Sequence, residues 1–135
     1  MLDTNVLLDW LLDRDAKRTK LIDKLFSSVG GLQIPDVVIV ELTFALEKFY
    51  ELPRDVVTEN ISKVVDEPIF NCNRALFRRA LIDYSKYPAL SFVDCYLIHY
   101  AELQHATPVW TFDKKLVNQS RGRAKPLSWV MCPFS

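Results

Sequence analysis

The chain has few glycines, no paired cysteines and no long hydrophobic run, and each shortage excludes a class of protein. Three glycines provide no flexible linker or low-complexity segment. Cys72, Cys95 and Cys132 lie far apart without a C-x-x-C pair, which argues against a disulfide framework or a zinc site and favours a reducing cytoplasm. No apolar run approaches the roughly 18 residues of a membrane span, and no basic segment begins a signal peptide, so no membrane association is expected.

The charge balance does not by itself indicate a nucleic-acid partner. Lys plus Arg number 17 and Asp plus Glu number 17, so the formal net charge is zero, whereas nucleic-acid binders often carry a positive excess. His99 and His105 are six positions apart, roughly 120° around a helix, and do not form a metal-ligand pair. A length of 135 residues, half of them hydrophobic, is typical of one globular domain, which we expect to span residues 1–135.

Helical patterns alternate with short strand candidates. Helices are expected over 5–13, 16–28, 36–50, 53–65, 73–86 and 91–105, with a short one after Asp113, and strands over 32–34, 68–71, 109–112 and 127–131. The alternation favours an α/β domain with a mainly parallel sheet, in which ligands bind beyond the carboxyl ends of the strands.

Four acids stand among apolar neighbours in the sequence: Asp3, Glu41, Asp94 and Asp113. The neighbours of Glu41 at helical spacing are all apolar, namely Val37, Val38, Phe44 and Ala45. Because burial of an unpaired carboxylate costs several kcal/mol, we expect these acids to share a divalent cation. Oxygen ligands without His or Cys indicate Mg²⁺ or Mn²⁺.

Simpler interpretations of three of these acids remain open. Asp94 also fits a capping box with Ser91, Asp113 fits the cap of a short helix, and Asp3 fits a surface residue at the terminus. A contrasting group, Asp9, Asp13 and Asp15, is interpreted as a solvated face.

Four segments in order resemble the PIN domain, and most closely the VapC-type toxins of toxin–antitoxin pairs. They are Asp3-Thr4-Asn5-Val6-Leu7-Leu8, Val38-Ile39-Val40-Glu41-Leu42, Ser91-Phe92-Val93-Asp94 and Thr111-Phe112-Asp113-Lys114-Lys115-Leu116. One departure is that only Met1 and Leu2 precede Asp3, whereas the family's first strand usually has several residues before its aspartate.

The resemblance implies a PIN-like three-layer sandwich and an endoribonuclease that depends on Mg²⁺ or Mn²⁺. By the same resemblance, Asp3, Glu41, Asp94 and Asp113 are the metal-binding and catalytic acids, Asn5 supports the first acid, and Thr111 supplies a hydroxyl near the last. The implied partners are an RNA substrate, a cognate antitoxin protein and a second copy in a homodimer. The helical aromatic residues of the N-terminal half are mostly expected in the core, and by the same resemblance their region also suits an antitoxin segment or a homodimer surface: Trp10, Phe44, Phe49 and Tyr50.

Basic residues near Asp113 are suited to RNA phosphates, although they also fit a solvated loop. The stretch contains Lys114, Lys115, Arg121, Arg123 and Lys125 without an intervening acid. A second, weaker candidate patch consists of Arg74, Arg78 and Arg79.

Two alternative functions remain. A phosphatase with an aspartyl nucleophile is disfavoured because Asn5 stands where a second acid is usual. The other alternative is a catalytically silent PIN-like module that binds RNA or protein.

Overall fold

The computed structural model describes residues 1–128, which fold mainly into helices. The helices are α1 (Thr4–Leu12), α2 (Ala16–Ser28), α3 (Asp36–Phe44), α4 (Arg54–Asp66), α5 (Arg74–Lys86), α6 (Phe92–Leu103) and α7 (Lys114–Gln119). The strands are β1 (Leu32–Gln33), β2 (Phe70–Asn71), β3 (Val109–Thr111) and β4 (Ala124–Pro126). None of the helices in this part of the chain is both long enough and apolar enough to cross a membrane.

The strands pair in parallel, as the alternation of strands and helices predicts. Leu32 of β1 lies opposite Phe70 of β2, and Val109 of β3 lies opposite Ala124 of β4. The chain divides into two compact units, Met1–Arg78 and a second that begins at Arg79, so each unit has one of these strand pairs. The α/β class with parallel pairing is confirmed.

In the first unit, the short segment before α1 lies beside β1. The amide of Leu2 donates to the carbonyl oxygen of Gln33 at 2.9 Å, and the Leu2 side chain is buried. Although only Met1 and Leu2 precede Asp3, its position is fixed because Leu2 is hydrogen-bonded to β1. The aromatic rings of Trp10, Phe26 and Phe70 pack against one another in this unit.

The predicted helix over residues 36–50 is interrupted. After Phe44 the backbone widens into a π-helical segment, Ala45–Phe49, in which the amide of Tyr50 donates to the carbonyl of Ala45 at 3.1 Å. Glu51 then adopts a left-handed backbone with φ 52°, which ends the helix. Residue spacing alone does not distinguish this wider turn from a regular one.

The last strand of the described residues, β4, occupies Ala124–Pro126, where no strand was predicted. The amide of Val109 donates to the carbonyl oxygen of Arg123, and β3 then runs beside residues 124–126. Leu127 still donates its amide to Thr111, at 3.0 Å, but residues 129–131 of the prediction lie outside the described chain. The other element boundaries agree to within about two residues, which is the usual uncertainty of helix ends.

Candidate active site

Asp3 caps the first helix with one of its two carboxylate oxygens. Its Oδ1 accepts hydrogen bonds from the amides of Asn5, at 2.8 Å, and Val6, at 3.4 Å. Within residues 1–128, Oδ2 accepts no hydrogen bond, and the side chain is exposed. The backbone of Asn5, rather than its side chain, therefore supports the first acid.

Glu41 lies in the middle of α3 and is exposed, not buried. Its helical neighbours Val37 and Phe44 are 66% and 62% exposed, whereas Val38 is buried. Glu41 thus lies between two apolar side chains that face solvent. The expectation that burial forces this carboxylate onto a cation is wrong, because Glu41 lies on the exposed side of α3 with Val37 and Phe44.

Asp94 forms the capping box that its spacing from Ser91 allows. The amide of Ser91 donates to Asp94 Oδ2 at 3.1 Å, and the amide of Asp94 donates to Ser91 Oγ at 3.1 Å. The Asp94 side chain is half-buried, and in the described chain its Oδ1 accepts no hydrogen bond. The capping interpretation is confirmed, and it occupies only one oxygen of the carboxylate.

Asp113 caps α7 after β3 in the same way that Asp3 caps α1. Its Oδ1 accepts hydrogen bonds from the amides of Lys115, at 2.9 Å, and Leu116, at 3.3 Å. The hydroxyl oxygen of Thr111 accepts the backbone amide of Asp113 at 2.9 Å, so Thr111 and Asp113 fix the bend between strand and helix. Asp113 is exposed, and its capping role is also confirmed.

The three aspartates are all held at helix N-termini through one oxygen. Asp3 and Asp113 are the N-caps of α1 and α7, whereas Asp94 is the third residue of α6 and bonds back to the amide of its N-cap, Ser91. In each case the bond orients the carboxylate and leaves its other oxygen available to a ligand. An oxygen-only donor set has the chemistry that Mg²⁺ and Mn²⁺ prefer. Asp3 and Glu41 lie in the first unit, and Asp94 and Asp113 lie in the second. Within residues 1–128, no group of three or more His, Cys, Asp or Glu side chains is close enough together to hold a metal ion.

Asp9 is buried, although its sequence neighbours predict a solvated residue. It is 4% exposed rather than solvated, and its carboxylate pairs with Arg14 at 2.7 Å and with Arg18 at 3.0 Å. Arg14 also donates to the Tyr50 hydroxyl at 2.8 Å and to the carbonyl oxygen of Asn5 at 3.2 Å. The hydrogen bonds to Tyr50, the larger cause, and to Asp9 raise the pKa of Arg14. The network anchors the first turn of α1, directly after Asp3.

A second charged network in the unit that begins at Arg79 was also missed. His99 contacts Asp83 at 2.6 Å and Glu102 at 3.4 Å, and Arg123 contacts the same acids at 3.5 Å and 2.8 Å. Arg123 is therefore engaged inside the protein and does not belong to a free basic flank. Because the partners are distant in sequence, as with Asp83 and Arg123, only the fold reveals this network.

The rest of the predicted basic flank is exposed. Lys114, Lys115 and Lys125 face solvent, and Arg121 donates to the Tyr87 hydroxyl at 2.6 Å. That hydrogen bond lowers the pKa of Tyr87.

The weaker arginine patch is largely structural. Arg74 donates to the carbonyl oxygens of Val65 at 2.5 Å and Phe70 at 2.7 Å, and Arg78 pairs with Asp66 at 3.0 Å.

Among the aromatic residues of the predicted partner region, Phe44 and Phe49 are exposed, while Tyr50 is half-buried against Phe49. Trp10 packs into the aromatic cluster of its unit and does not form part of an exposed patch. Between α3 and the end of the π-helical segment, the large apolar side chains that face solvent are Val37, Phe44 and Phe49.

Comparisons with known proteins agree on one family. The protein-family model described as PIN domain matches residues 1–121. A curated protein named VapC ribonuclease, from Aquifex aeolicus (strain VF5), is 32% identical over 100 residues, which cover 70% of this chain and 73% of that protein. No solved structure matches the chain.

Proposed function

Because the chain belongs to the PIN-domain family, we propose that it is an endoribonuclease that hydrolyses RNA phosphodiesters and acts as the toxin of a toxin–antitoxin pair. The observation that carries this proposal is the likeness to the relative named VapC ribonuclease. We further propose that residues 1–135 act as one PIN-like domain, in a three-layer sandwich. The separated cysteines fit a cytoplasmic location, and Cys72 is a free thiol.

The proposed metal site consists of Asp3 and Asp94 as the main ligands, with Glu41 and Asp113 completing the acidic set. Its support is the second carboxylate oxygen that Asp3, Asp94 and Asp113 each leave available to a ligand, together with the exposure of Glu41. Nucleases of this family generally depend on a divalent metal ion, and the carboxylate donors favour Mg²⁺ or Mn²⁺.

A bound divalent ion would polarise a phosphoryl oxygen and lower the pKa of an attacking water. The chain itself contributes the orientation of the acids. The first turns of α1, α6 and α7 fix three carboxylates through backbone amides, and Thr111 holds the backbone of Asp113. Exposed Lys114, Lys115 and Lys125 offer positive charge for the phosphates of the RNA.

A protein partner is proposed for the exposed apolar surface around Glu41. Val37, Phe44 and Phe49 expose large apolar side chains in one stretch of helix, and such surfaces often mark interaction sites. We propose that this surface receives the antitoxin or a second copy in a homodimer.

The decisive experiment measures cleavage of single-stranded RNA by the purified protein. We expect cleavage with Mg²⁺ or Mn²⁺, loss with EDTA, and recovery when the metal is restored. Asp3→Asn should abolish cleavage, whereas Glu59→Gln, a change at an exposed acid of α4, should not. Cleavage that persists in EDTA contradicts the metal mechanism, and metal-independent RNA binding without any cleavage supports the catalytically silent alternative.

A further inference from the structure

A small cavity lies beside Asp113 in the unit that begins at Arg79. It is open to solvent, has a volume of about 270 Å³ and is lined by Phe112, Lys114, Val117, Asn118 and Pro126. Lys114, Val117 and Asn118 stand at i, i+3 and i+4 on α7, so one face of this helix forms a wall. Pro126 lies opposite Thr111 in the pairing of β3 with β4, which places β4 at the cavity.

The exposure of the Phe112 side chain is not explained by a role in the core. Its side chain is 80% exposed, although it lies between two residues whose hydrogen bonds fix the backbone. The amide of Asp113 is bonded to Thr111 and its carboxylate to α7, so the ring of Phe112 is presented from an ordered bend. An exposed aromatic ring in an ordered position loses little conformational freedom when it binds a flat partner.

The cavity combines the groups that recognise an unpaired nucleobase. Phe112 offers an aromatic face for stacking, Val117 and Pro126 offer apolar contacts, and Asn118 has an amide with two donors and an acceptor for a base edge. Lys114 adds a positive charge that suits the attached phosphate, and none of the described lining residues is an acid. Single-stranded RNA is commonly bound by this combination of stacking and positive charge.

We propose that this cavity is a base-binding subsite for single-stranded RNA, in which Phe112 stacks on one base and Lys114 binds its phosphate. The inference rests on the proposed ribonuclease function and adds to it a residue that positions the substrate. Phe112 and Lys114 flank Asp113 in the chain, so a base held here brings the neighbouring phosphodiester close to that carboxylate. The subsite therefore provides a preference for unpaired RNA.

The test measures the binding of a short, fluorescein-labelled, single-stranded oligoribonucleotide by fluorescence anisotropy in EDTA, where the RNA stays intact. Phe112→Ala should weaken binding by about 5- to 150-fold, the range found when base-stacking aromatics are removed. Phe112→Trp should keep most of the affinity, whereas Phe112→Leu, which is apolar but not aromatic, should resemble Phe112→Ala. Circular dichroism checks that each variant is folded, which the exposure of Phe112 leads us to expect.

A second arm locates the base and tests the lysine. Replacing bases one at a time by abasic residues should reveal a position whose loss weakens binding to the wild type but not to Phe112→Ala. Lys114→Ala should weaken binding and reduce the slope of log affinity against log salt by about 1. Its matched control is Lys63→Ala, a change at an exposed helical lysine of α4, which should leave the slope unchanged.

The outcomes separate this inference from the proposed function. If the wild type binds and cleaves RNA while Phe112→Ala binds equally well, the subsite is wrong and the ribonuclease proposal stands. If Phe112→Ala instead disrupts self-association in sedimentation and leaves RNA affinity unchanged, the cavity belongs to a protein interface. If the wild type neither binds nor cleaves RNA, both proposals fail.

Discussion

Asp94 allows a direct separation of a structural role from a catalytic one. One carboxylate oxygen accepts the amide of Ser91, and the reciprocal bond runs from the Asp94 amide to Ser91 Oγ. Asp94→Asn keeps an oxygen acceptor for the Ser91 amide but removes the negative charge. Ser91→Ala does the reverse, because it removes the hydroxyl cap and leaves the carboxylate in place.

The two variants should therefore change different quantities. Loss of a serine cap costs about 1 kcal/mol, so Ser91→Ala should lower Tm by roughly 3 to 5 °C and leave folded protein active. Asp94→Asn should cost about 0.3 to 1 kcal/mol, because the amide oxygen still accepts the Ser91 amide but the favourable negative charge near the N-terminus of α6 is lost. Its cleavage of RNA should nevertheless fall by at least about 100-fold, more than the 10- to 100-fold typical of groups that only orient a metal ligand.

Thermal unfolding followed by circular dichroism gives the stability, and initial rates of RNA cleavage at saturating Mg²⁺, well below either Tm, give the activity. The reasoning is refuted if Asp94→Asn cleaves RNA at the wild-type rate, since the carboxylate would then be only a cap. It is equally refuted if the activities of the two variants follow their stabilities, because a single structural defect would then explain both.

Three further predictions concern the first unit. Arg14→Ala should lower the free energy of unfolding in urea by about 2 kcal/mol, because it removes a charge-assisted bond to the buried carboxylate of Asp9. Arg18→Ala should lower it by about 1 kcal/mol or less, because the Arg18 side chain is 56% exposed. Equal losses in the two variants would contradict this ranking. Phe44→Asp should weaken self-association, measured by sedimentation, or capture of a co-expressed antitoxin, measured by co-purification, and should not lower Tm because Phe44 is exposed. Unchanged association in both assays would contradict the proposed partner surface. Burial raises the pKa of the Cys72 thiol, so less of the reactive thiolate is present at neutral pH in the native chain than in the urea-unfolded chain. Alkylation of Cys72, mapped by mass spectrometry, should therefore be slower in the native chain. Equal rates would count against that burial.

Local patterns were sufficient for most of the secondary structure and for the caps. The bounds of α2 agree with the predicted helix, and the capping box of α6 was recognisable from Ser91 and Asp94 alone. These features depend on contacts within one turn of helix, which is why they can be recognised without the tertiary fold. The family motifs are also contiguous, so the resemblance to PIN domains can be recognised from the order of residues alone.

Burial could not be predicted in the same way. Glu41 and Asp9 both have leucine or valine close by in the sequence, yet Glu41 is exposed and Asp9 is 4% exposed. Neighbours at i±3 and i±4 describe the surface of a helix, but packing against other elements decides whether that surface becomes core or remains solvated.

The parallel α/β class, the helix caps and the four candidate acids can be recognised from the order of residues alone, because each is encoded over a few consecutive residues or in ordered motifs. Only the tertiary structure showed that Arg123 is engaged by Asp83 and Glu102, and that Phe112 stands exposed beside a cavity. The physical reason is that ion pairing and exposure depend on residues brought together from distant parts of the chain. The acids are thus local features of the sequence, whereas the surroundings that would hold RNA beside them are a property of the fold.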